Sequence, residues 1–361
     1  CPRPVRFVML RRIYETWYLK PFFKVFGVVP IAAGQSKESI GVINQLLRDG
    51  ECVCLFPEGA ISRNGHLGKF HTGYERMVEG VDEGVIVPFY LRGLWGSSFS
   101  RAEEGLKDAR APQTRRDLIV AFGKPLPLDT RADALKQKVF ELSIDAWDAY
   151  SDTLEPIPLA VLRKAKRQAR AIATINSTGE KLSYRQFAAA CACFAGELHG
   201  AARGAHIGIM LPASPAAAIA TVAVSLRGAV AVQLNYTAGA DAVHAAVDSA
   251  RLTTVLTSRQ FLERLAERGI DPEQLLPQGL ERVYMEDIRE ALPRWRLLAA
   301  GLLHALLPPS WFYRLYGRAV DINEPAAILF SSGSESKPKG VVLSHRNIMS
   351  NARQISDVLN T

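Results

Sequence analysis

The chain has 361 residues, of which 48% are hydrophobic and 22% are charged, a composition typical of folded globular proteins and unlike that of disordered or fibrous ones. This length is enough for two hydrophobic cores. The net charge of +8 suits anionic partners such as phosphates, acidic carrier proteins or anionic lipid surfaces. A basic protein without a specific partner is the alternative. Because no nucleic-acid-binding motif accompanies the charge, we expect no nucleic-acid partner.

The cysteines and the N-terminus bear on the compartment. No C-x-x-C occurs, and two C-x-C pairs lie inside apolar runs, so we interpret them as buried small hydrophobes in a reducing compartment, with no metal site. No signal peptide opens the chain, and its first residue is not Met, so we expect the native N-terminus to be missing. The five cysteines are Cys1, Cys52, Cys54, Cys191 and Cys193.

The first 150 residues have a mixed α/β pattern. In "SKESIGVINQLLRDG", Ile40, Ile43 and Leu47 recur at helical spacing, with Ser36 as a candidate N-cap and Gly50 as a stop. The apolar runs "CVCLF", "GVIVPFYL" and "DLIVAFG" predict three buried strands.

A sharp turn follows the predicted strand "CVCLF". The letters "PEG" would expose Glu58 at the carboxyl end of that strand, with Arg63, Lys69 and His71 nearby as cations for an anionic head group. An ordinary turn with solvated charges is the alternative.

The order of residues in "CLFPEGAISRNGHLGKF" resembles the F-P-E-G block of the glycerolipid acyltransferases, and residues 26–31 and 87–88 resemble flanking blocks of that family. The resemblance implies that Glu58, Gly59, Arg63 and Lys69 bind the acyl acceptor. The family's catalytic His and Asp are spaced H-x-x-x-x-D. No His occurs between Cys1 and Phe26. We therefore expect this domain to be truncated before its catalytic pair.

The pattern changes at residues 151–170, where two prolines precede a basic run, and we interpret this segment as a linker. A solvated helix face is the more economical interpretation of Arg163 to Arg170. Beyond it, apolar strands alternate with helices such as "SYRQFAAACACFAGELHG" and "PAAAIATVAVSLRG". This alternation predicts a mainly parallel sheet covered by helices on both faces.

One apolar segment, Leu297 to Arg318, has two possible structures. No unbroken apolar run in it approaches the roughly 20 residues that span a bilayer. A buried hairpin of two helices is one possibility and contact with a membrane surface is the other. The interfacial residues that favour the second are Trp311, Phe312, Tyr313 and Tyr316, with Arg314 and Arg318.

The stretch "SSGSESKPKG" (331–340) follows the predicted strand Ala326 to Phe330 and precedes another strand, "VVLSH". Hydroxyls, a glycine and lysines are suited to holding phosphate, although the spacing is not that of a Walker P-loop. A flexible solvent loop is the alternative. The candidate nucleotide-binding residues are Ser331, Ser332, Gly333, Ser334, Glu335, Ser336, Lys337, Lys339 and Gly340.

This stretch resembles the phosphate loop of the adenylate-forming enzymes, the acyl-CoA synthetase superfamily. Glu335 stands where Thr is usual, as in the acyl-acyl-carrier-protein synthetase branch, and Ser336 stands where Gly is usual. His345 and Asn347 resemble the H-x-N that follows the loop. The resemblance implies ATP and Mg²⁺ as cofactors. It also implies that the catalytic residues of this domain lie beyond the chain, so that no catalytic residue is assigned and the chain alone is expected to be inactive.

Together the two resemblances predict an α/β chain of two domains. Residues 1–150 would be the C-terminal part of a glycerolipid acyltransferase domain and residues 171–361 the N-terminal part of an AMP-binding domain. This order resembles the bifunctional 2-acylglycerophosphoethanolamine acyltransferase/acyl-carrier-protein synthetases. That family implies a lysophospholipid, a fatty acid and acyl carrier protein as partners, with peripheral membrane contact at the cytoplasmic face of the bacterial inner membrane. A stand-alone fatty-acid ligase with a lipid-binding module and a non-catalytic membrane scaffold are the rivals.

Overall fold

Contacts between residues divide the chain into two units. The first unit comprises Cys1–Tyr150 with Ile355–Thr361, and the second comprises Ser151–Gln354. The structure is a computed structural model that describes residues 4–31, 37–105, 107, 118–176, 178–198, 200–331 and 339–358.

The first unit contains two small sheets and five described helices. Its strands are Val5–Leu10 (β1), Val29–Ile31 (β2), Cys52–Cys54 (β3), Phe89–Arg92 (β4) and Ile119–Phe122 (β5). Its helices are Arg11–Tyr14 (α1), Lys20–Val25 (α2), Lys37–Arg48 (α3), Gly73–Met77 (α4) and Ala132–Ser151 (α5). Strands β2, β1 and β3 form a parallel sheet in that order, whereas β4 and β5 pair antiparallel.

Helix α3 occupies the predicted helical stretch, and Gly50 follows it at φ +77°, a left-handed conformation that ends the helix without strain. The predicted N-cap Ser36 lies outside the described residues. The unit's core forms where α4 packs against α5, around Phe70, Tyr74 and Val139.

Three expectations for this unit are wrong. The run "GVIVPFYL" was expected to be one buried strand, but the strand covers only Phe89–Arg92, and Val85 and Val87 before it are 59% and 45% exposed. The run "DLIVAFG" was expected to be a buried strand, but β5 pairs with β4 in a two-stranded ribbon and leaves Phe122 68% exposed. Cys52 was expected to be buried and is exposed, because β3 lies at the edge of its sheet. Cys54 is half-buried, and burial, with Cys52 nearby, raises the pKa of its thiol to about 11.

The second unit contains eight described strands and ten described α-helices. Its strands are Ile172–Ile175 (β6), Lys181–Ser183 (β7), His206–Ile209 (β8), Val230–Gln233 (β9), Thr254–Thr257 (β10), Glu281–Tyr284 (β11), Pro325–Ser331 (β12) and Lys339–Ser344 (β13). Its helices are Ile157–Arg167 (α6), Tyr184–Glu197 (α7), Pro215–Leu226 (α8), Ala240–Ala250 (α9), Arg259–Glu267 (α10), Pro272–Leu275 (α11), Met285–Ala291 (α12), Arg294–Leu306 (α13), Pro309–Tyr316 (α14) and His345–Val358 (α15).

The main sheet has the order β11-β10-β8-β9-β12-β13, parallel except for β13. The alternating side chains of β9 show why both faces are covered: Ala231 joins the core on one face, and Val230 and Val232 join the core on the other. Helices α6, α7, α8, α12, α13 and α14 supply the first core, and α9, α10 and α11 the second. The predicted α/β fold with a mainly parallel, two-sided sheet is confirmed.

The segment expected to be a linker contains a packed helix. Leu162 and Ala165 of α6 are fully buried, and α6 packs against α7 and α14. The Lys166 ammonium donates to the carbonyls of His304 (3.3 Å) and Leu307 (3.0 Å), at the C-terminal end of α13, where helix carbonyls lack partners. The basic run therefore belongs to a helix whose apolar side is core and whose exposed side carries the charge.

The apolar segment after Leu297 forms the helix hairpin α13–α14. In the part of the chain that the structure describes, no helix is both long and apolar enough to cross a membrane. The buried cysteines of this unit, Cys191 and Cys193, behave as expected: burial raises the pKa of both thiols.

Candidate functional site

The predicted phosphate loop joins two strands that pair as an antiparallel hairpin. Ser331 at the end of β12 lies opposite Lys339 at the start of β13, and Phe330 lies opposite Gly340. The candidate residues between them lie outside the described residues: Ser332, Gly333, Ser334, Glu335, Ser336 and Lys337. The structure therefore fixes both ends of the loop.

The mouth of this hairpin lies at the carboxyl edge of the parallel sheet. Leu329 of β12 pairs with Gln233, the last residue of β9, so Phe330 and Ser331 continue beyond the end of their neighbour. Open α/β sheets bind ligands outside the carboxyl ends of their strands. The two described ends of the loop thus lie at the edge where such a sheet binds ligands.

Three predicted residues can be placed at this mouth. Ser331 and Lys339 are exposed, and the Ser331 hydroxyl donates to the Lys339 carbonyl over a long 3.4 Å. A Cβ atom at Gly340 would lie 3.0 Å from Cε1 of Phe330, so the ring would have to move slightly to admit a side chain. Lys339 offers a positive charge at the loop's end, and Gly340 lets β13 pass close to the Phe330 ring.

A turn after β9 borders the same edge and was not assigned a role from the sequence. The Asn235 carboxamide oxygen accepts from the Thr237 amide at 3.0 Å and from its hydroxyl at 2.7 Å. The ring of Tyr236 packs edge-to-face against that of Phe261, with 4.8 Å between ring centroids. Since β9 and β12 are hydrogen-bonded neighbours, this turn and the hairpin mouth follow adjacent strand ends. The segment "LNYTAG" marks this turn in the sequence, but it contains no charged side chain that would have indicated a role in binding phosphate.

The H-x-N pair has a structural role here. His345 is buried at 2% exposure, and its Nδ1 accepts from the Ile157 amide at 3.3 Å. Asn347 closes the start of α15, since its side-chain oxygen accepts from the amide (3.0 Å) and hydroxyl (2.9 Å) of Ser344. These contacts tie β13 and α15 to α6 and hold the far end of the phosphate hairpin in place.

Burial lowers the pKa of His345 to about 4, although Glu324 nearby acts to raise it. An unfolded histidine has a pKa of about 6.5, so the unfolded chain binds the proton first as pH falls. The stability contributed by neutral His345 is full above pH 6.5 and is lost as pH falls towards 4.

We therefore expect the free energy of unfolding to fall by about 2 kcal/mol between pH 7 and pH 5 on account of His345. His345→Asn, which keeps an acceptor near the Nδ1 position, should flatten this dependence. The contribution of His304 to the pH dependence should remain in this variant, because burial also lowers the pKa of His304. The measurement is urea-induced unfolding at both pH values, with circular dichroism as the signal. An unchanged slope in the variant would show that His345 is already solvated in the folded chain.

The "FPEG" segment in the first unit forms a closed loop over the unit's core. Gly59 has φ +66°, and its amide donates to the Phe56 carbonyl at 3.0 Å. The Glu58 carboxylate accepts from the Gly68 amide at 2.6 Å, a charge-assisted bond between the loop's two ends. A Cβ on Gly68 would lie 2.7 Å from the same carboxylate oxygen, so a side chain there would force the Glu58 carboxylate to move. Glu58 thus positions the loop.

Residues that the sequence analysis did not single out hold the middle of this loop. Ser62 donates to the His66 carbonyl at 2.9 Å, and the His66 amide donates to the Asn64 side chain at 3.1 Å. Gly65 has φ +77°, and the Trp95 ring lies so close that a Cβ would be 2.8 Å from it. The signal was the N-G pair, which commonly marks a turn.

The cations predicted for this site lie on the loop's surface. Arg63 and Lys69 are exposed, whereas Glu58 is half-buried. Burial raises the pKa of Tyr90 on β4, Arg92 opposes that rise, and Glu58 adds to it, which places the Tyr90 phenol within electrostatic reach of the carboxylate. Four predicted acceptor-binding residues, Glu58, Gly59, Arg63 and Lys69, thus share one ordered loop. Among the described residues, no group of three His, Cys, Asp or Glu side chains could hold a metal ion.

If Glu58 closes the loop, replacing it should open the loop without unfolding the unit. We expect Glu58→Ala to speed hydrogen exchange of the Gly68 amide by at least about tenfold, the scale of one lost charge-assisted bond. Glu58→Gln keeps an acceptor oxygen and should stay within a fewfold of wild type. The exchange rates are measured by NMR. The Ile86 amide, which donates to the Leu126 carbonyl at 2.9 Å, is the internal control. Equal Gly68 exchange in wild type and Glu58→Ala would contradict the closing role.

Comparison with known proteins gives two matches along the chain. The profile of the AMP-binding enzyme family matches residues 161–361, and a profile described as acyltransferase matches residues 1–92. Since the first match covers more than half of the chain, the protein belongs to the AMP-binding enzyme family. The two matches follow the same order as the two resemblances deduced from the motifs.

Curated relatives come from rice, Oryza sativa subsp. japonica. The chain is 26% identical to 4-coumarate–CoA ligase 2 over 191 residues, which is 50% of this chain and 32% of the relative. It is 29% identical to 4-coumarate–CoA ligase 5 over 198 residues, 54% of this chain and 33% of the relative. The chain thus spans about a third of the length of these relatives. A solved structure, the Klebsiella oxytoca NpsA N-terminal subdomain with 3-hydroxybenzoyl-AMSN, is 20% identical, covers 56% of this chain and 44% of its own, and has a TM-score of 0.42.

Proposed function

We propose that the protein activates a fatty acid with ATP and passes the acyl group to a lysophospholipid. The observation that carries the first half is the hairpin mouth, where Ser331 and Lys339 end two paired strands at the carboxyl edge of the sheet, in a chain of the AMP-binding family. The closed loop around Glu58, in the part that matches an acyltransferase, supports the second half.

The proposed reaction has three steps. The fatty-acid carboxylate attacks the α-phosphorus of ATP, and the bond to the β-phosphate breaks to release pyrophosphate. A thiol then attacks the carbonyl of the acyl-adenylate and AMP leaves. Finally, the lysophospholipid hydroxyl attacks the thioester, forming an ester and returning the thiol. Lys339 and Ser331 would hold phosphate oxygens in the first step, and Arg63 and Lys69 would hold the acceptor's phosphate in the last.

Mg²⁺ would reach this site with the nucleotide. The described residues provide no cluster of acidic or imidazole ligands, whereas a phosphate-holding hairpin suits a cation carried by the triphosphate. The metal would neutralise charge on the phosphates as the carboxylate approaches.

We further propose acyl carrier protein as the thiol donor and the cytoplasmic face of a bacterial inner membrane as the location. Glu335, by its resemblance to the carrier-protein-dependent branch, supports the carrier protein. CoA is a second candidate for the thiol, because the curated relatives are named as CoA ligases. Supplying the full-length protein with ATP, fatty acid and either thiol, then separating the thioesters, distinguishes the two.

In the full-length protein, Lys339→Ala should weaken use of ATP by about one to two decades, the value of a charge-assisted contact of roughly 1.5–3 kcal/mol. Lys181→Ala on β7 is the matched control, since Lys181 is equally exposed but lies outside the main sheet. The measurement is pyrophosphate release against ATP concentration. If Lys339→Ala stays within twofold of wild type while Lys181→Ala does too, the hairpin does not hold the phosphates.

A further inference from the structure

Helices α13 and α14 leave six large apolar side chains in solvent. Positions 295, 298, 302 and 306 recur every three or four residues and so lie on one face of α13. We define the hairpin surface by its six members: Trp295 (67% exposed), Leu298 (75%), Leu302 (61%), Leu306 (69%), Trp311 (63%) and Leu315 (59%).

The opposite face of the same hairpin is firmly packed. Ala300 and Phe312 are fully buried, and the His304 ring lies edge-on to Phe312 with 5.0 Å between centroids. The His304 Nε2 lies 3.0 Å from the Leu162 carbonyl. Because this side is locked into the core, the hairpin surface is held outwards by the fold and its leucines have no place in the core of the unit.

This outcome corrects the residues expected to contact a membrane. Phe312 and Tyr313 were named as interfacial, but they are 0% and 5% exposed and belong to the core. The sequence alone does not show which apolar residues of this segment are exposed. The way α14 packs against the core determines which of its side chains face solvent.

The charged side chains of the hairpin itself are all basic. Residues 294–318 include four arginines and no Asp or Glu. Arg294 and Arg314 are exposed, whereas Arg296 pairs with Glu197 at 2.7 Å. Helix α6, which packs against α14, also contains no acidic residue, and its exposed side includes Arg167. A surface of leucine and tryptophan bordered by arginine suits an apolar phase beneath an anionic layer.

We propose that the hairpin surface docks this unit on an anionic phospholipid membrane. The leucines enter the boundary of the acyl chains, the two tryptophans lie at the level of the head groups, and Arg294 and Arg314 face lipid phosphates. The arrangement lies in the interface without spanning it. This deepens the proposed function, since a lysophospholipid acceptor and a fatty acid both reside in a membrane, but it rests on residues outside both candidate sites.

Cosedimentation of the 361-residue chain with vesicles tests the proposal. We expect binding to vesicles of phosphatidylcholine with one quarter phosphatidylglycerol, and binding at least tenfold weaker to pure phosphatidylcholine. Leu298→Ser/Leu302→Ser should reduce partitioning into the anionic vesicles at least tenfold. Trp295→Ser should weaken binding, and Trp295→Phe should restore most of it. Circular dichroism establishes that each variant is folded.

A matched charge control lies on the other face of the sheet. Arg294→Gln/Arg314→Gln should reduce binding by about fivefold for each charge removed. Arg264→Gln/Arg268→Gln on and next to α10 makes the same charge change at exposed positions in the layer that covers the opposite face, and should stay within twofold of wild type. Equal loss in both pairs would mean that net charge alone drives binding and would overturn the proposal.

Two other results would also overturn it. One is vesicle binding unaffected by Leu298→Ser/Leu302→Ser, which would place the membrane contact elsewhere. The other is a stable dimer in light scattering that this double variant converts to a monomer without loss of vesicle binding, which would assign the surface to a second copy of the chain. In the full-length protein, pyrophosphate release with a water-soluble short-chain acid should be unchanged by the surface variants. Failure of docking and failure of the adenylation proposal are therefore distinguishable.

Discussion

The pairing of β12 with β9 is the constraint on which the second unit's candidate site depends. Residues Ala327, Ile328 and Leu329 hydrogen-bond in parallel register with Ala231, Val232 and Gln233. In the sequence, residues 234–324 separate these two strands and form other helices and strands of the unit. Their pairing brings the start of the phosphate loop beside the turn at Asn235. Because Ala326, Ala327 and Ile328 are all buried, sliding this pairing by one residue would move each of these side chains to the opposite face of a sheet that is packed on both sides, and it is strongly disfavoured.

The rest of the unit can be understood as support for that pairing. Strand β13 covers the outer edge of β12, and Gly340 lets it lie against Phe330. Helix α15 then begins at His345, whose buried ring meets the start of α6. Helix α6 in turn holds the end of α13 through Lys166. A chain of specific contacts thus links the candidate phosphate site to the helix hairpin that carries the proposed docking surface.

Strand and helix order could be predicted from the sequence, because continuous apolar runs and 3.6-residue periodicity are local signals. The strand before "SSGSESKPKG" and the helices with Ser183 and Ser214 as N-caps are of this kind. Exposure could not be predicted where it depends on partners: β5 is apolar yet exposed, since it has one neighbour. Within the expected linker, the basic residues indicated a solvated helix face, but the buried side of that helix, at Leu162 and Ala165, was not predicted.

At the candidate sites, motif order located the loops but not what each residue does. Glu58, which was predicted to bind the acyl acceptor, is found to hold the Gly68 amide. His345 and Asn347, which resemble the H-x-N after the phosphate loop, are found to make contacts within the protein. Tyr236 was passed over because its position beside the hairpin mouth follows from strand pairing alone. The roles of His345 and Tyr236 depend on contacts with Ile157 and Phe261, which are distant in sequence and leave no local pattern.

The central claim, that the β12–β13 hairpin holds nucleotide phosphates at the carboxyl edge of the sheet, is tested most directly by a crystal structure of the full-length protein with a non-hydrolysable ATP analogue. The account predicts phosphate oxygens within hydrogen-bonding distance of groups between Ser331 and Gly340, with the nucleotide extending towards the turn at Asn235 and Tyr236. A nucleotide bound at the amino edge of the sheet, or in the first unit, would contradict it.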